Sequence, residues 1–244
     1  MIKIGHRGAM GYEPENTLRS FEKAIELGAD IIELDVHLCK SGELVVIHDE
    51  KVNRTTNGRG LIADMALAEL KKLDAGNGQI IPTLEDVVDF VGSWRGTRAK
   101  PGLCKRVAIN IELKGAGTAL PVASVLYKLY RSGWKEDQFL VSSFSIDELQ
   151  QFRNTDSVSR VGLILDKSIF GIWGSKINIF DLALTLKCYS IHPSVRLTTP
   201  KLVREAHSNG LKVFVWTANS SADIRRLIKM GVDGIFSNFP DRLA

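Results

Sequence analysis

Apolar residues follow two rhythms along this chain. Short continuous runs rich in β-branched side chains recur at Ile2–Gly5, Ile31–Val36, Val107–Leu113, Phe139–Ser142, Arg160–Leu165, Ser190–His192, Lys212–Trp216 and Gly234–Ser237. Brief unbroken stretches of this kind are what parallel strands buried on both faces require. Between them lie segments with apolar residues on one helical face. Asn16 or Thr17 caps a helix carrying Leu18, Phe21, Ala24 and Ile25, and Gly28 stops it. Ser145 with Glu148 reads as a capping box ahead of Leu149 and Phe152. Thr199-Pro200 opens a helix that ends before Gly210, and another runs from about Ala222 to Met230, before Gly231.

Eight strands joined by helical crossovers predict an α/β fold, a (β/α)8 TIM barrel, formed by residues 1–244 as a single domain. The competing open, doubly wound sheet would place a GxGxxG after the first strand, and none stands there. A ninth run, Glu43–His48, follows the second strand after only Lys40-Ser41-Gly42. That link is too short for a parallel crossover, so the run is expected to fold back as a small hairpin insertion over the barrel mouth.

Composition changes this picture little. The 244 residues suffice for one barrel, and 44% hydrophobic with 25% charged residues excludes long disorder. A net charge of +4 does not point to nucleic acid, and no apolar run is long enough for stable membrane insertion. Three dispersed cysteines (Cys39, Cys104 and Cys188) form no CxxC pair, which favours a reducing compartment over a disulfide framework. With His6-Arg7-Gly8 following so closely on Met1 and no room for a signal peptide, the expected location is cytoplasmic. Barrel enzymes often associate, so a homo-oligomer is compatible with the sequence.

The chemistry gathers at strand ends, where barrel active sites lie. His6-Arg7 ends the first strand. Glu33 and Asp35 stand two apart on the second, so they share a face; if Ile32, Leu34 and Val36 face the helices, the acids face the interior. His48-Asp49 returns level with Asp35, Glu112 and Lys114 share a face of the third barrel strand, and Ser142-Ser143-Phe144 and Trp216-Thr217 end two others. Charged groups inside a barrel must be paired, metal-bound or functional. Three carboxylates without cysteine suit a hard divalent cation, Mg²⁺ or Ca²⁺. Two cationic side chains suit a phosphate, and two histidines can divide acid and base duties. Together these describe phosphodiester cleavage.

The ordered motifs His6-Arg7-Gly8, Pro14-Glu15-Asn16-Thr17, Glu33-Leu34-Asp35-Val36, His48-Asp49, Arg54-Thr55-Thr56-Asn57-Gly58, Leu73-Asp74-Ala75-Gly76, Ile81-Pro82-Thr83-Leu84-Glu85, Asn110-Ile111-Glu112-Leu113-Lys114 and Val215-Trp216-Thr217 resemble the glycerophosphodiester phosphodiesterases over nearly the whole chain. The resemblance implies metal-dependent hydrolysis of a small-molecule glycerophosphodiester to sn-glycerol 3-phosphate and an alcohol. By the same match, His6 and His48 are the acid/base pair and Glu33, Asp35 and Glu112 hold the divalent metal. Arg7 and Lys114 contact phosphate, Phe144 and Trp216 wall the substrate pocket, and Glu15 and Asn16 support the catalytic histidine. Two departures stand out. Lys40-Ser41-Gly42 lacks the family's usual acidic residue before glycine. Ser237-Asn238 replaces the usual Thr-Asp, at a position bearing on substrate preference.

Alternatives are a lysophospholipase D-like enzyme acting on lipid diesters, with Phe170–Ile177 as the discriminating loop, and a non-catalytic barrel that binds phosphodiesters. Zinc amidohydrolase chemistry would want an HxH on the first strand. A basic cluster at Arg95, Arg98, Lys100, Lys105 and Arg106 reads as a solvated run on the opposite face. His37 and His207 read as structural, and His192 as a residue at the edge of the site or in a turn.

Overall fold

The structure, a computed structural model, describes residues 1–97 (side chains to 94), 107–167 and 178–243. The Phe170–Ile177 loop, Cys104 and the basic side chains at positions 95–106 lie outside the described residues.

Eight strands close into a parallel barrel: β1 (Ile2–Gly5), β2 (Ile31–Leu38), β4 (Ala108–Leu113), β5 (Phe139–Ser143), β6 (Arg160–Leu165), β7 (Ser190–Pro193), β8 (Lys212–Val215) and β9 (Gly234–Ser237). Closure is made by β1, which pairs in parallel with both β9 and β2. The remaining strand, β3 (Leu44–Val46), runs antiparallel to the end of β2 through Val36 opposite Val46. This is the expected hairpin.

The hairpin is only the start of a larger insertion. After it come the short helix α2 (Leu67–Leu70) and a connection up to Thr83. Val45, Ile47, Val52, Ile62, Leu70 and Ile81 form a separate apolar cluster beneath it. Their spacing follows neither the helical nor the strand period, which is why the sequence pattern showed the hairpin and not the rest.

The helices are α1 (Leu18–Glu26), α3 (Leu84–Thr97), α4 (Ala119–Arg131), α5 (Ile146–Thr155), α6 (Ile179–Thr185), α7 (Pro200–Ser208) and α8 (Ser221–Met230); α1, α5, α7 and α8 are the four whose ends the sequence marked. Thr17, Ser145 and Thr199 each accept a first-turn backbone N–H, as their side chains allow. Two apolar layers result. The larger packs helices on the outward strand faces, through Ile32, Leu34, Val36, Ile109 and Ile111 among others. The smaller, with Ile4, Ile31, Leu140, Phe214 and Phe236, fills the barrel interior and forms the floor on which the site rests.

The capping box at α5 is half right. Ser145 caps the helix, but the Glu148 carboxylate turns to the neighbouring helix and accepts from Gly117 N (2.6 Å) and Ala119 N (2.8 Å) at the start of α4. Two unpaired N–H groups at a helix start, the Ala119 one buried, outcompete the local donor, because a charged acceptor satisfies both at once. Glu148→Ala is therefore expected to cost about 2–3 kcal/mol in urea unfolding. A cost below about 0.5 kcal/mol would mean that the bridge between the helices carries little of the fold.

Candidate active site

Strand alternation aims the acids inward. Ile32, Leu34 and Val36 enter the helix-facing core, leaving Glu33 and Asp35 inside the barrel. The same alternation on β4 turns Asn110 and Glu112 inward, and the parallel register sets Glu33 beside Asn110 and Asp35 beside Glu112. One oxygen from each of Glu33, Asp35 and Glu112 lies within 4.8 Å of the others, all three buried. Burial and the neighbouring carboxylates raise Glu33 well above the ordinary range, and burial with Asp35 pushes Glu112 up to about 7. Such a set is uncomfortable without added positive charge. Three oxygen donors and no sulfur fit a hard divalent cation.

The chain supplies part of that charge. Lys114 Nζ lies 2.8 Å from Glu112 Oε1 and 4.0 Å from Asp35 Oδ1. Arg7 donates its backbone N–H to Glu33 Oε2 (2.7 Å) and places Nε 3.4 Å from Asp35 Oδ2. Arg7 sits at φ 49°, followed by Gly8 at φ 85°, and a Cβ on Gly8 would collide with Ser20. The sharp turn that aims this amide at Glu33 therefore needs glycine. Asn16, also left-handed at φ 58°, donates Nδ2 to Asp35 Oδ2 at 2.9 Å.

The two histidines are held differently. His48 Nδ1 donates to Asp49 Oδ1 (2.6 Å), and Asp49 is gripped by Arg54 through Oδ1 and Oδ2. Arg54 also donates to both oxygens of Glu15, at 2.8 Å each, and Glu15 accepts from Arg7. A single chain of ion pairs thus joins His48 to Arg7. Within it, Arg54 and Arg7 overcome the effect of burial and hold Glu15 down at about 2. His6 Nδ1 instead meets the neutral Asn238 Oδ1 at 2.8 Å. Burial first, then the Arg7 guanidinium, lowers His6 to about 4. Burial also lowers His48, against the pull of Asp35 and Asp49.

His6, Arg7, Glu33, His48, Glu112 and Lys114 line a cavity that opens to solvent. Phe144 and Trp216 form its wall, edge to face at 5.4 Å. All eleven residues singled out from the sequence converge: nine line the cavity or the acid cluster, and Glu15 and Asn16 brace Arg7 and Asp35. Arg54 was visible only as part of a motif, and its bridging role depends on a fold-back no spacing rule reveals. Asn110 was likewise quoted without a role, although alternation with Glu112 was a signal for it. Of the two readings of His192, the structure supports a place in the site and not a turn, since it lies within β7. It is buried on the cavity floor, and its carbonyl accepts from Trp216 Nε1 at 2.7 Å. His37 packs behind the hairpin, bonded to the His48 carbonyl.

Two outcomes are expected. In chelator, Glu112 holds its proton more tightly folded than unfolded, so its stabilising contribution is complete below about pH 4.5 and is lost as pH rises towards about 7. Saturating Mg²⁺ or Ca²⁺ should raise Tm more at pH 7.5 than at pH 5, with proton release measurable by calorimetry; an equal gain at both pH values would contradict this. Separately, Asn238→Asp places a carboxylate where a neutral oxygen now stands. The His6 titration followed by NMR should then move up by about one unit or more, and an unmoved midpoint would mean that this contact does not set its charge.

A model of the "Glycerophosphoryl diester phosphodiesterase family" matches residues 6–242. A glycerophosphodiester phosphodiesterase of Caldanaerobacter subterraneus subsp. tengcongensis is 38% identical over 99% of this chain and 96% of its own. Among solved structures, an Oleispira antarctica phosphodiesterase in complex with the product sn-glycerol-3-phosphate superposes with TM-score 0.85 at 28% identity, covering 100% of this chain and 95% of that one. A Silicibacter pomeroyi structure, described as a putative member, gives TM-score 0.86 at 27% identity, covering 100% and 92%. The buried acid cluster, the paired histidines and this likeness along almost the full length agree: the chain belongs to the glycerophosphoryl diester phosphodiesterase family.

Proposed function

We propose that this site hydrolyses glycerophosphodiesters to sn-glycerol 3-phosphate and an alcohol. The observation that carries the reading is the asymmetric histidine pair beside three buried carboxylates. A binding protein has no use for two imidazoles whose Nδ1 atoms are pinned and whose Nε2 atoms are left for proton transfer.

Glu33, Asp35 and Glu112 would hold Mg²⁺ or Ca²⁺. A divalent cation supplies Lewis acidity, drawing charge from the phosphoryl oxygens. Arg7 and Lys114 complete the anion site from two sides, Arg7 oriented by Glu15 and Lys114 by Glu112.

Proton traffic follows from the partners of the two rings. Asp49 stabilises an imidazolium at His48, whereas Asn238 offers His6 no charge. His6 is therefore neutral near pH 7 and takes the proton from the attacking hydroxyl, of water or of the substrate's own glycerol. As the new P–O bond forms and the bond to the alcohol breaks, His48 gives a proton to the leaving alkoxide from its imidazolium form, which burial disfavours and the Asp49 and Asp35 carboxylates favour. Arg54, through Asp49, keeps the His48 ring aimed.

The two described cysteines carry free thiols, which supports a reducing, cytoplasmic setting. Among the described residues no helix is long and apolar enough to cross a membrane.

The decisive assay incubates chelated protein with glycerophosphocholine or glycerophosphoethanolamine, with and without Mg²⁺ or Ca²⁺, and measures glycerol 3-phosphate. Release should require the cation and fall by about 10²-fold or more in His6→Ala and in His48→Ala. Cation-independent release, or full activity in either variant, would refute the mechanism. No release from any glycerophosphodiester would refute the activity.

A further inference from the structure

The floor of the cavity carries two buried polar atoms that the mechanism does not use. Asn110 Nδ2 donates to Ser142 Oγ (3.0 Å), which fixes the carboxamide and leaves Oδ1 buried without a partner. The His192 ring is held by the Ser190 hydroxyl at Nε2 (2.8 Å), with Phe214 and Phe236 at 5.4 and 5.3 Å, and its Nδ1 is likewise buried and unpartnered. Both residues are 1% exposed, and both line the cavity. A buried polar atom without a partner is a standing desolvation cost, and it persists where a ligand supplies the missing bond.

The chemistry of the pair defines what fits. Asn110 Oδ1 accepts, so it seeks an O–H or N–H donor. Burial drives His192 down to about 3, so the ring is neutral and one of its nitrogens donates. An acceptor and a neutral imidazole together suit hydroxyl groups, which both give and take hydrogen bonds. They do not suit a second anion, which Asn110 Oδ1 would repel, nor a quaternary ammonium, which has no proton to donate. The ring position is also enforced: Gly162 faces His192, and a Cβ there would collide with the imidazole Nε2.

We propose that Asn110 and His192 form a hydroxyl-recognition subsite that takes the polyol side of the diester, directing the leaving alcohol to the open mouth. The subsite rests on the glycerophosphodiester reading of the same cavity. Glycerol esterified at one end carries two free hydroxyls, matching a floor with two unsatisfied polar positions. Selectivity of this chain then lies on the glycerol side, and the alcohol is read only by what it meets at the mouth.

The test is equilibrium binding to the full-length chain saturated with Mg²⁺ or Ca²⁺, comparing sn-glycerol 3-phosphate with n-propyl phosphate, which lacks both hydroxyls. The wild-type chain should prefer the glycerol ester by at least about tenfold, since a site built to bond hydroxyls rejects analogues without them. Asn110→Leu should compress that preference to within about threefold, and Asn110→Ser, which retains an acceptor, should keep part of it. No wild-type preference, binding of neither ester, or an undiminished preference in Asn110→Leu overturns the subsite. If Asn110→Leu does not fold, the wild-type comparison and Asn110→Ser decide. Turnover of glycerophosphocholine is measured alongside. Preference without turnover refutes the reaction and keeps the subsite, whereas turnover without preference refutes the subsite and keeps the reaction.

Discussion

Three carboxylates forced together inside a barrel are the constraint around which the rest of this molecule is arranged. Glu33, Asp35 and Glu112 owe their proximity to strand alternation and register alone, both of which the apolar outer layer enforces. A shift of one residue on β2 would turn the acids into the helix layer and Ile32 and Leu34 into the cavity. The repulsion this packing creates is met from every side: a backbone amide from the Arg7 turn, the Asn16 carboxamide, and the Arg7 and Lys114 side chains. Even so, Glu33 and Glu112 stay displaced towards their protonated forms, which leaves the cluster suited to a divalent cation.

Arg54 extends that logic beyond the cavity. It belongs to the insertion, not to the barrel, yet it binds Asp49 and Glu15 simultaneously. His48 after the hairpin and Arg7 after the first strand are thereby linked through one guanidinium, in the planar, bidentate geometry that it favours. The insertion that carries Arg54 has its own apolar cluster, so the guanidinium is presented from a packed unit and not from a bare loop.

The barrel was legible because buried parallel strands and capped helices leave local signatures. Even the hairpin followed from a three-residue gap at Lys40-Ser41-Gly42. The site was legible wherever two polar residues alternate with apolar ones, as at Glu33 and Asp35 or Glu112 and Lys114. What escaped was set by long-range packing: the second partner of Glu148, the fold-back of Arg54, and the depth of His192. The last is instructive, since a histidine before proline at a strand end resembles a turn. Only barrel closure, which brings Phe214 and Phe236 against its ring, shows that the position is interior.

The cavity has a polarity that a list of its residues conceals. Among the described residues, every charged lining residue comes from β1, β2 and β4 or the turns that follow them: Arg7, Glu33, Glu112 and Lys114. Among the described residues, the lining contributed from β5 to β9 (Ser142, Phe144, Ile164, His192, Trp216 and Phe236) carries no charge, since burial keeps His192 neutral. A phosphodiester placed between these halves has one anionic centre and two uncharged ester arms, so its phosphate is drawn to one side and an arm must meet the other. The neutral half is closed below by Phe236 and Phe214 and walled by Phe144 and Trp216, so the arm that enters it is short. A three-carbon polyol satisfies both its shape and its two unpaired polar atoms, and a long acyl chain satisfies neither. On the proposed reading, the substrate is oriented by where the barrel puts its charges, before either histidine would move a proton.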